Sequence, residues 1–198
     1  MNARPPIASL NANREKPAAQ EQRGQTAVNQ GLLDTGKPLF DQVSLRCSAL
    51  TTSAYSTSFS MGIRLLTPEL RAPIHAIYGF VRFADEIVDA FHDFDKTILL
   101  DRFKQDTHQA IAERISLNPI LNSFQWAFHA YSMDMAHVDK FLASMERDLD
   151  QTAYDRDGYD DYIVGSAEVV GLMCLSVFVQ GNKDQYDSLL PHARSLGA

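Results

Sequence analysis

Apolar positions recur along most of the chain with the spacing of helices, and no segment alternates apolar and polar residues convincingly. Pro68, preceded by Thr67 as a cap, predicts the start of a helix that runs to about His92. The pattern predicts further helices over Val43–Ala54, Asp95–Ile115, Asn118–Tyr131, His137–Leu149, Tyr159–Val179 and Lys183–Arg194. The sequence therefore predicts an all-α fold without strands.

The first 40 residues differ in composition from the rest of the chain. They are rich in Ala, Asn, Gln, Gly and Pro, and Phe40 is their first aromatic residue. Such a stretch buries too little apolar surface to order itself. We therefore expect a flexible tail over residues 1–40 and one helical domain over residues 41–198.

The most informative pattern lies in the helix predicted after Pro68. Tyr78, Arg82, Asp85 and Asp89 are four, three and four residues apart. On a helix these steps bring them within roughly 60° of one another. The rest of the circumference is mostly apolar, whereas a surface helix has a broad polar face. We call these four residues the acidic stripe, and we expect it to lie on a helix that is otherwise buried.

Two carboxylates at i and i+4 in a largely apolar setting need positive charge nearby. Arg82 supplies one charge, and Mg²⁺ bound together with a substrate diphosphate is the natural second candidate, because Mg²⁺ takes only one or two carboxylates. The alternative is an internal ion pair of Arg82 with Asp85 or Glu86 on a partly exposed helix. The spacing alone leaves both interpretations open.

Two further segments carry weaker signals. The hydroxyls of Tyr55–Phe59 could bind phosphate oxygens, or could satisfy their own backbone in a plain loop. Gly165, Ser166, Ala167 and Gly171 place small residues inside an apolar helix. Small residues there either allow close packing of another helix or leave room for a bulky apolar ligand.

Bulk properties narrow the class of protein. The net charge of −7 and the pI near 5.3 argue against a nucleic-acid-binding surface. The two cysteines, Cys47 and Cys174, lack metal-ligand spacing and are typical of core thiols in a reducing compartment. There is no secretory signal and no apolar run long enough to span a bilayer, so we expect a cytoplasmic protein.

The motifs resemble those of the squalene/phytoene synthase family. The resemblance rests on Tyr55–Phe59, on Ala76–Asp89 and on the segment from Tyr162 through Gly171, and it extends in order from residue 50 to residue 198. In wording it is most similar to the bacterial phytoene synthases. It implies an isoprenoid synthase fold, in which helices surround a deep apolar cavity.

The resemblance also implies an activity and a site. Members join two prenyl diphosphates head to head through a cyclopropyl diphosphate intermediate, with Mg²⁺ or Mn²⁺. By resemblance, Asp85 and Asp89 bind metal, and Tyr78, Arg82, Ser56 and Ser58 contact diphosphate. The remaining implied residues lie near the reacting carbons or line the prenyl channel: Tyr162, Phe59, Ser166, Ala167, Val170 and Gly171.

The resemblance favours geranylgeranyl diphosphate as the substrate and phytoene, a carotenoid precursor, as the product. Squalene or dehydrosqualene synthesis from two farnesyl diphosphates is the nearest alternative. Because the substrate is an amphiphile, peripheral membrane contact is also expected. The oligomeric state and the choice of metal stay open.

One departure from the family pattern leads to a different expectation. The family's second aspartate-rich motif should begin just after Leu196–Ala198, so roughly the last third of the fold and half of the metal ligands are missing here. The sequence is then either a fragment of an active synthase or a truncated, non-catalytic homologue that acts as a helical partner. A hydrolase or a chain-elongating prenyltransferase is a weaker alternative, because the denser acidic motif typical of elongating enzymes is absent.

Overall fold

A computed structural model describes residues 36–150 and 167–197 of the chain. Every regular element in these two ranges is a helix, as predicted, and none of these helices is long and apolar enough to cross a membrane. The helices are α1 (Lys37–Tyr55), α2 (Thr57–Leu65), α3 (Pro68–Asp89), α4 (Lys96–Glu113), α5 (Pro119–Ala130), α6 (Met135–Asp150), α7 (Val169–Phe178) and α8 (Lys183–Gly197).

Helix α3 lies at the centre of the bundle and packs against α2, α4, α5, α6 and α7. Its Phe80 ring is fully buried and stacks on Phe124 of α5 at a centroid distance of 4.0 Å. Phe103 of α4 and Phe141 of α6 approach the same ring at 5.7 and 5.3 Å. Aromatic pairs at such distances contribute about 0.5–1.5 kcal/mol each beyond the burial of their area. One side chain of α3 therefore joins three neighbouring helices.

Helix α1 buries hydroxyl groups rather than apolar side chains. Ser44, Ser48 and Thr52, spaced one turn apart, are fully inaccessible to solvent. The Ser48 hydroxyl lies 2.5 Å from that of Ser123 on α5, and Thr52 Oγ1 lies 2.9 Å from His75 Nδ1 on α3. These bonds satisfy polar groups that would otherwise be costly to bury.

Local caps explain several of the predicted boundaries. The Asp95 carboxylate accepts a hydrogen bond from Ile98 N–H at 3.1 Å, and the Asn118 side chain accepts from Ile120 and Leu121. Thr67 was wrongly predicted as a side-chain cap. Its hydroxyl makes no cap bond, and its backbone carbonyl accepts from Leu70 N–H at 3.1 Å instead.

Other boundaries differ from those predicted. Helix α1 begins at Lys37, inside the segment expected to be a tail, and the polar stretch after Tyr55 opens a separate helix, α2. Helix α4 ends at Glu113 because Arg114 adopts a left-handed conformation with φ of 59°, so Ile115 is 40% exposed rather than part of an apolar helix face. Residues 1–35 and 151–166, on which the rest of the tail and the start of the predicted Tyr159–Val179 helix fall, lie outside the described residues.

Gly79 lets α1 approach α3 closely, which generates a prediction. An added Cβ would lie 2.9 Å from Ser48 Oγ and 3.3 Å from Ser48 Cβ. Because Ser48 is held by Ser123, we expect Gly79→Ala to lower the free energy of unfolding by about 1–3 kcal/mol in urea titrations.

The matched control is Gly62→Ala in α2. A Cβ at Gly62 would meet no described atom within 4 Å. Since alanine favours helices over glycine, this variant should gain up to about 1 kcal/mol. Equal stability of Gly79→Ala and the wild-type chain would contradict the close approach of α1.

Candidate active site

The acidic stripe lies along one side of α3, as its spacing predicted. Tyr78, Arg82 and Asp85 are half-buried, and Asp89 is exposed at the end of the helix. The opposite side is core, where Ile77, Phe80, Ala84 and Ile87 are at most 7% exposed. The expectation that this helix would be buried around most of its circumference is therefore confirmed.

The surroundings of Asp85 disfavour the ionised form of its carboxyl group. Its pKa is raised from 3.8 to about 6, mainly by burial and also by the charges of Asp89, Asp148 and Glu86, against the opposing effect of Arg82. Burial disfavours the ionised form, and like charges nearby do the same. Asp85 is thus a carboxyl group whose ionised form gains from any cation placed beside it.

Arg82 is held by two neighbours. It forms an ion pair through Nη2 with the Glu86 carboxylate, one turn along α3. Its guanidinium carbon lies 4.5 Å from the centroid of the Tyr55 ring, within the range of a cation–π contact. The ion pair with Glu86 belongs to one of the two interpretations that the sequence left open. It engages Arg82 through Glu86 and not through the Asp85 carboxylate.

The segment Tyr55–Phe59, which we call the aromatic corner, connects α1 to α2 beside the acidic stripe. Ser56 is the N-cap of α2, and its hydroxyl accepts from Phe59 N–H at 3.1 Å. The Ser56 and Ser58 hydroxyl oxygens are 3.5 Å apart. The Phe59 ring lies 4.9 Å from the Tyr78 ring. The Ser56 hydroxyl therefore satisfies its own backbone, whereas Ser58 is exposed on the first turn of α2.

An apolar groove of about 490 Å³ opens beside the aromatic corner. Phe59 borders both the groove and Tyr78, so the groove and the acidic stripe are neighbours. The groove lies between α2, α3 and α7 and is lined by Ser58, Phe59, Gly62, Ile63, Leu66, Ile74, Cys174 and Phe178. Burial raises the pKa of the Cys174 thiol to about 12, so Cys174 acts here as an apolar wall.

Of the remaining predicted site residues, some lie at the start of α7 and others fall outside the described residues. Ala167 and Gly171 are exposed and Val170 is half-buried at the start of α7. A Cβ on Gly171 would meet no described atom within 4 Å, so no described helix packs closely there. Tyr162 and Ser166 lie outside the described residues.

Asp85 and Asp89 fit a metal that is shared with a ligand better than one held by protein alone. Within residues 36–150 and 167–197, no group of three His, Cys, Asp or Glu side chains is arranged to hold a metal ion. Mg²⁺ commonly takes one or two carboxylates and completes its shell with water and phosphate oxygens. The donor chemistry of the pair, with the raised pKa of Asp85, is compatible with such a site.

Sequence reasoning missed two residues of this region. Asp148 is not among the predicted site residues, yet its charge acts on Asp85 from α6. Phe141 and Met145 are buried on α6, and a step of three residues from Met145 puts Asp148 at the end of the same helix face. That spacing was available as a signal. Nothing in the sequence indicated that Tyr55 would contact Arg82.

Comparison with known proteins agrees with this all-helical fold. A sequence model described as Squalene/phytoene synthase matches residues 52–198. A 4,4'-diapophytoene synthase from Staphylococcus haemolyticus (strain JCSC1435) is 26% identical over 133 residues, which cover 66% of this chain and 47% of that protein. The chain thus spans about half the length of this curated relative.

Two solved structures share the fold. A dehydrosqualene synthase in complex with ligand superposes with a TM-score of 0.68 at 20% identity, over 79% of this chain and 53% of that one. Squalene synthase HpnC from Alicyclobacillus acidocaldarius gives a TM-score of 0.69 at 21% identity, over 80% and 60% of the two chains.

The described helices therefore have the all-α fold shared by these squalene and dehydrosqualene synthase structures. Because the family model matches most of its length, the chain belongs to the squalene/phytoene synthase family, whose members are head-to-head prenyltransferases.

The raised pKa of Asp85 predicts how stability depends on pH in the absence of metal. The folded chain binds a proton at Asp85 up to about pH 6, whereas the ordinary value is 3.8, so stability falls as the pH rises between these values. We expect Asp85→Asn to be more stable than the wild type by about 1 kcal/mol near pH 7.5, a value reduced for partial solvent exposure, and the difference to shrink toward zero near pH 4.

Urea unfolding with a chelator present measures both differences. Asp101→Asn, which alters an exposed carboxylate on α4, is the control and should change little at either pH. A destabilised Asp85→Asn near neutral pH would mean that the ionised carboxylate is stabilised by its surroundings, contrary to the cause given above.

Proposed function

We propose that this chain carries the first aspartate motif of a head-to-head prenyltransferase, which condenses two prenyl diphosphates. The observation that carries the proposal is the desolvated Asp85 carboxyl group, with its pKa raised to about 6, beside Asp89 on a stripe whose other end, Tyr78, contacts Phe59 at the edge of an apolar groove. Carboxylates that favour cations, adjacent to an apolar channel, match an amphiphile with a diphosphate head and a hydrocarbon tail.

The charged side of the site would hold the diphosphate head. Asp85 and Asp89 would bind a divalent cation such as Mg²⁺ or Mn²⁺ together with diphosphate oxygens. When bound, the cation neutralises charge on the leaving diphosphate. Arg82 would donate hydrogen bonds to the diphosphate, Tyr78 would donate from its hydroxyl, and Ser58 would face it from the aromatic corner.

The apolar side would hold the prenyl tail and exclude water. A carbocation formed after departure of the diphosphate is quenched by water, so a dry wall protects it. The Phe59 ring, which borders both sides, could stabilise positive charge through its face. Val170 and Gly171 at the start of α7, with Ala167 just before it, would extend this wall. The roles of Tyr162 and Ser166 stay predictions from the family resemblance.

The choice between tail lengths is open to a direct assay. Motif wording favours geranylgeranyl diphosphate and phytoene, whereas the relatives named dehydrosqualene and squalene synthases favour the alternative with two farnesyl diphosphates. Incubation with each diphosphate, followed by chromatography of the hexane extract, separates the products. A hydrocarbon from farnesyl diphosphate alone would support the alternative, and the reverse result would support phytoene synthesis.

Binding of the diphosphate head is testable without turnover. We expect Mg²⁺ and inorganic pyrophosphate together, but neither alone, to raise the melting temperature of the wild-type chain. At a ligand concentration about 100-fold above Kd the gain is about 2.7 kcal/mol, which corresponds to roughly 5–10 °C for a domain of this size.

Asp85→Asn and Asp89→Asn should lose most of this shift, because each removes one of the two proposed metal-binding carboxylates. Asp101→Asn, on the neighbouring helix α4, should keep it. A wild-type shift that persists in both variants would contradict the metal assignment.

A further inference from the structure

We propose that Tyr55, the last residue of α1, is a positioning residue that holds the Arg82 guanidinium so that its exposed edge can donate to an oxygen of a bound diphosphate. The inference rests on the proposed function and gives the Tyr55 ring a role toward Arg82 that the sequence did not indicate. It concerns the orientation of Arg82 rather than its charge.

Two contacts fix the guanidinium. The Tyr55 ring covers its face, with the guanidinium carbon 4.5 Å from the ring centroid. The Glu86 carboxylate binds Nη2 from the same helix as Arg82. A planar group restrained at its face by a ring and at one edge by a carboxylate has little rotational freedom left.

The Nε–H group shows how closely the guanidinium is enclosed. It is inaccessible to solvent, and it makes no hydrogen bond to any residue in the part of the chain that the structure describes. A buried donor without a partner is unfavourable. The charges of Arg82 and Asp85 interact, so the guanidinium and the proposed metal-binding carboxylate belong to one site. The Arg82 side chain keeps 28% of its surface exposed, so a diphosphate oxygen held at Asp85 by a cation would accept from the exposed edge of the guanidinium, while the buried Nε–H signal reports how the group is held.

The contact depends on the ring of Tyr55 and not on its hydroxyl. The side chain is 49% exposed, so replacing it removes little core packing. An arginine without such a contact samples several rotamers and loses that freedom when it binds a ligand. The ring therefore lowers the entropic cost of binding an oxyanion, and phenylalanine should substitute for tyrosine in this role.

The test is calorimetric titration of inorganic pyrophosphate, with Mg²⁺ present, into the wild-type chain and four variants. The variants are Tyr55→Phe, Tyr55→Leu, Arg82→Lys and the double variant Tyr55→Leu/Arg82→Lys. We expect Tyr55→Phe to bind within about twofold of the wild type and Tyr55→Leu to bind about 5- to 30-fold more weakly. In the Arg82→Lys background, which lacks Nε–H, Tyr55→Leu should weaken binding less than about twofold further.

A spectroscopic readout separates positioning from a general structural effect. In a ¹H–¹⁵N spectrum, the Arg82 Nε–H signal is identified by its loss in Arg82→Lys. Tyr55→Leu should remove the ring-current shift of this signal, and Tyr55→Phe should keep it. Addition of pyrophosphate and Mg²⁺ should move the signal in the wild type.

Equal pyrophosphate affinity of Tyr55→Leu and the wild type would overturn the inference and leave the proposed function standing. Additive losses in the double variant would also overturn it, because Tyr55 would then act independently of Arg82. No pyrophosphate binding by the wild-type chain would overturn the proposed function and, with it, the role given to Arg82.

Discussion

The contact of Phe80 with three phenylalanine rings, two of them stacked on it and one tilted, sets the position of every polar residue on α3. Phe103, Phe124 and Phe141 come from three different helices, so a rotation of α3 about its axis would break contacts with all of them at once. With that face fixed, the acidic stripe is fixed on the other side. The burial of Asp85 is therefore a consequence of core packing and not of a contact made by Asp85 itself. The core stabilises the fold enough to tolerate an unfavourable carboxyl group at the site.

The aromatic corner brings a charged surface and an apolar surface together. Tyr55 and Phe59 are four residues apart, and so are Tyr78 and Arg82. The Tyr55 ring contacts Arg82, and the Phe59 ring contacts Tyr78. Phe59 also lines the groove between α2 and α7. A ligand with an anionic head and an apolar tail would thus meet both surfaces across a single ring. The Ser56 cap, which starts α2 at this point, holds the corner in place.

The parts of this structure that are local in sequence were predictable. The four-three-four spacing of the acidic stripe depends only on the helical repeat, and the caps at Asp95 and Asn118 depend on residues two or three positions away. Arg114 was harder, because a non-glycine residue with φ of 59° gives no signal in the sequence.

The long-range contacts were not predictable in this way. Asp148 acts on Asp85 from another helix, and Tyr55 meets Arg82 only because α1 ends beside the middle of α3. Periodicity tells which face of a helix is buried, but it does not tell which residue of another helix that face meets. The hydroxyl stripe of α1 illustrates the same limit, since Ser44, Ser48 and Thr52 do not form an apolar pattern and are nevertheless buried.

The raised pKa of Asp85 affects which ligands the proposed site can bind. Near neutral pH, Asp85, Asp89 and Asp148 together make a negative surface that repels a bare diphosphate. A cation alone relieves that repulsion but, with so few protein ligands among the described residues, keeps most of its water shell. Under the proposed function, a cation and a diphosphate together would satisfy both the carboxylates and the exposed edge of Arg82. Cooperative binding of the two would then be a consequence of the burial of α3, because a more exposed Asp85 would ionise freely and gain less from the cation.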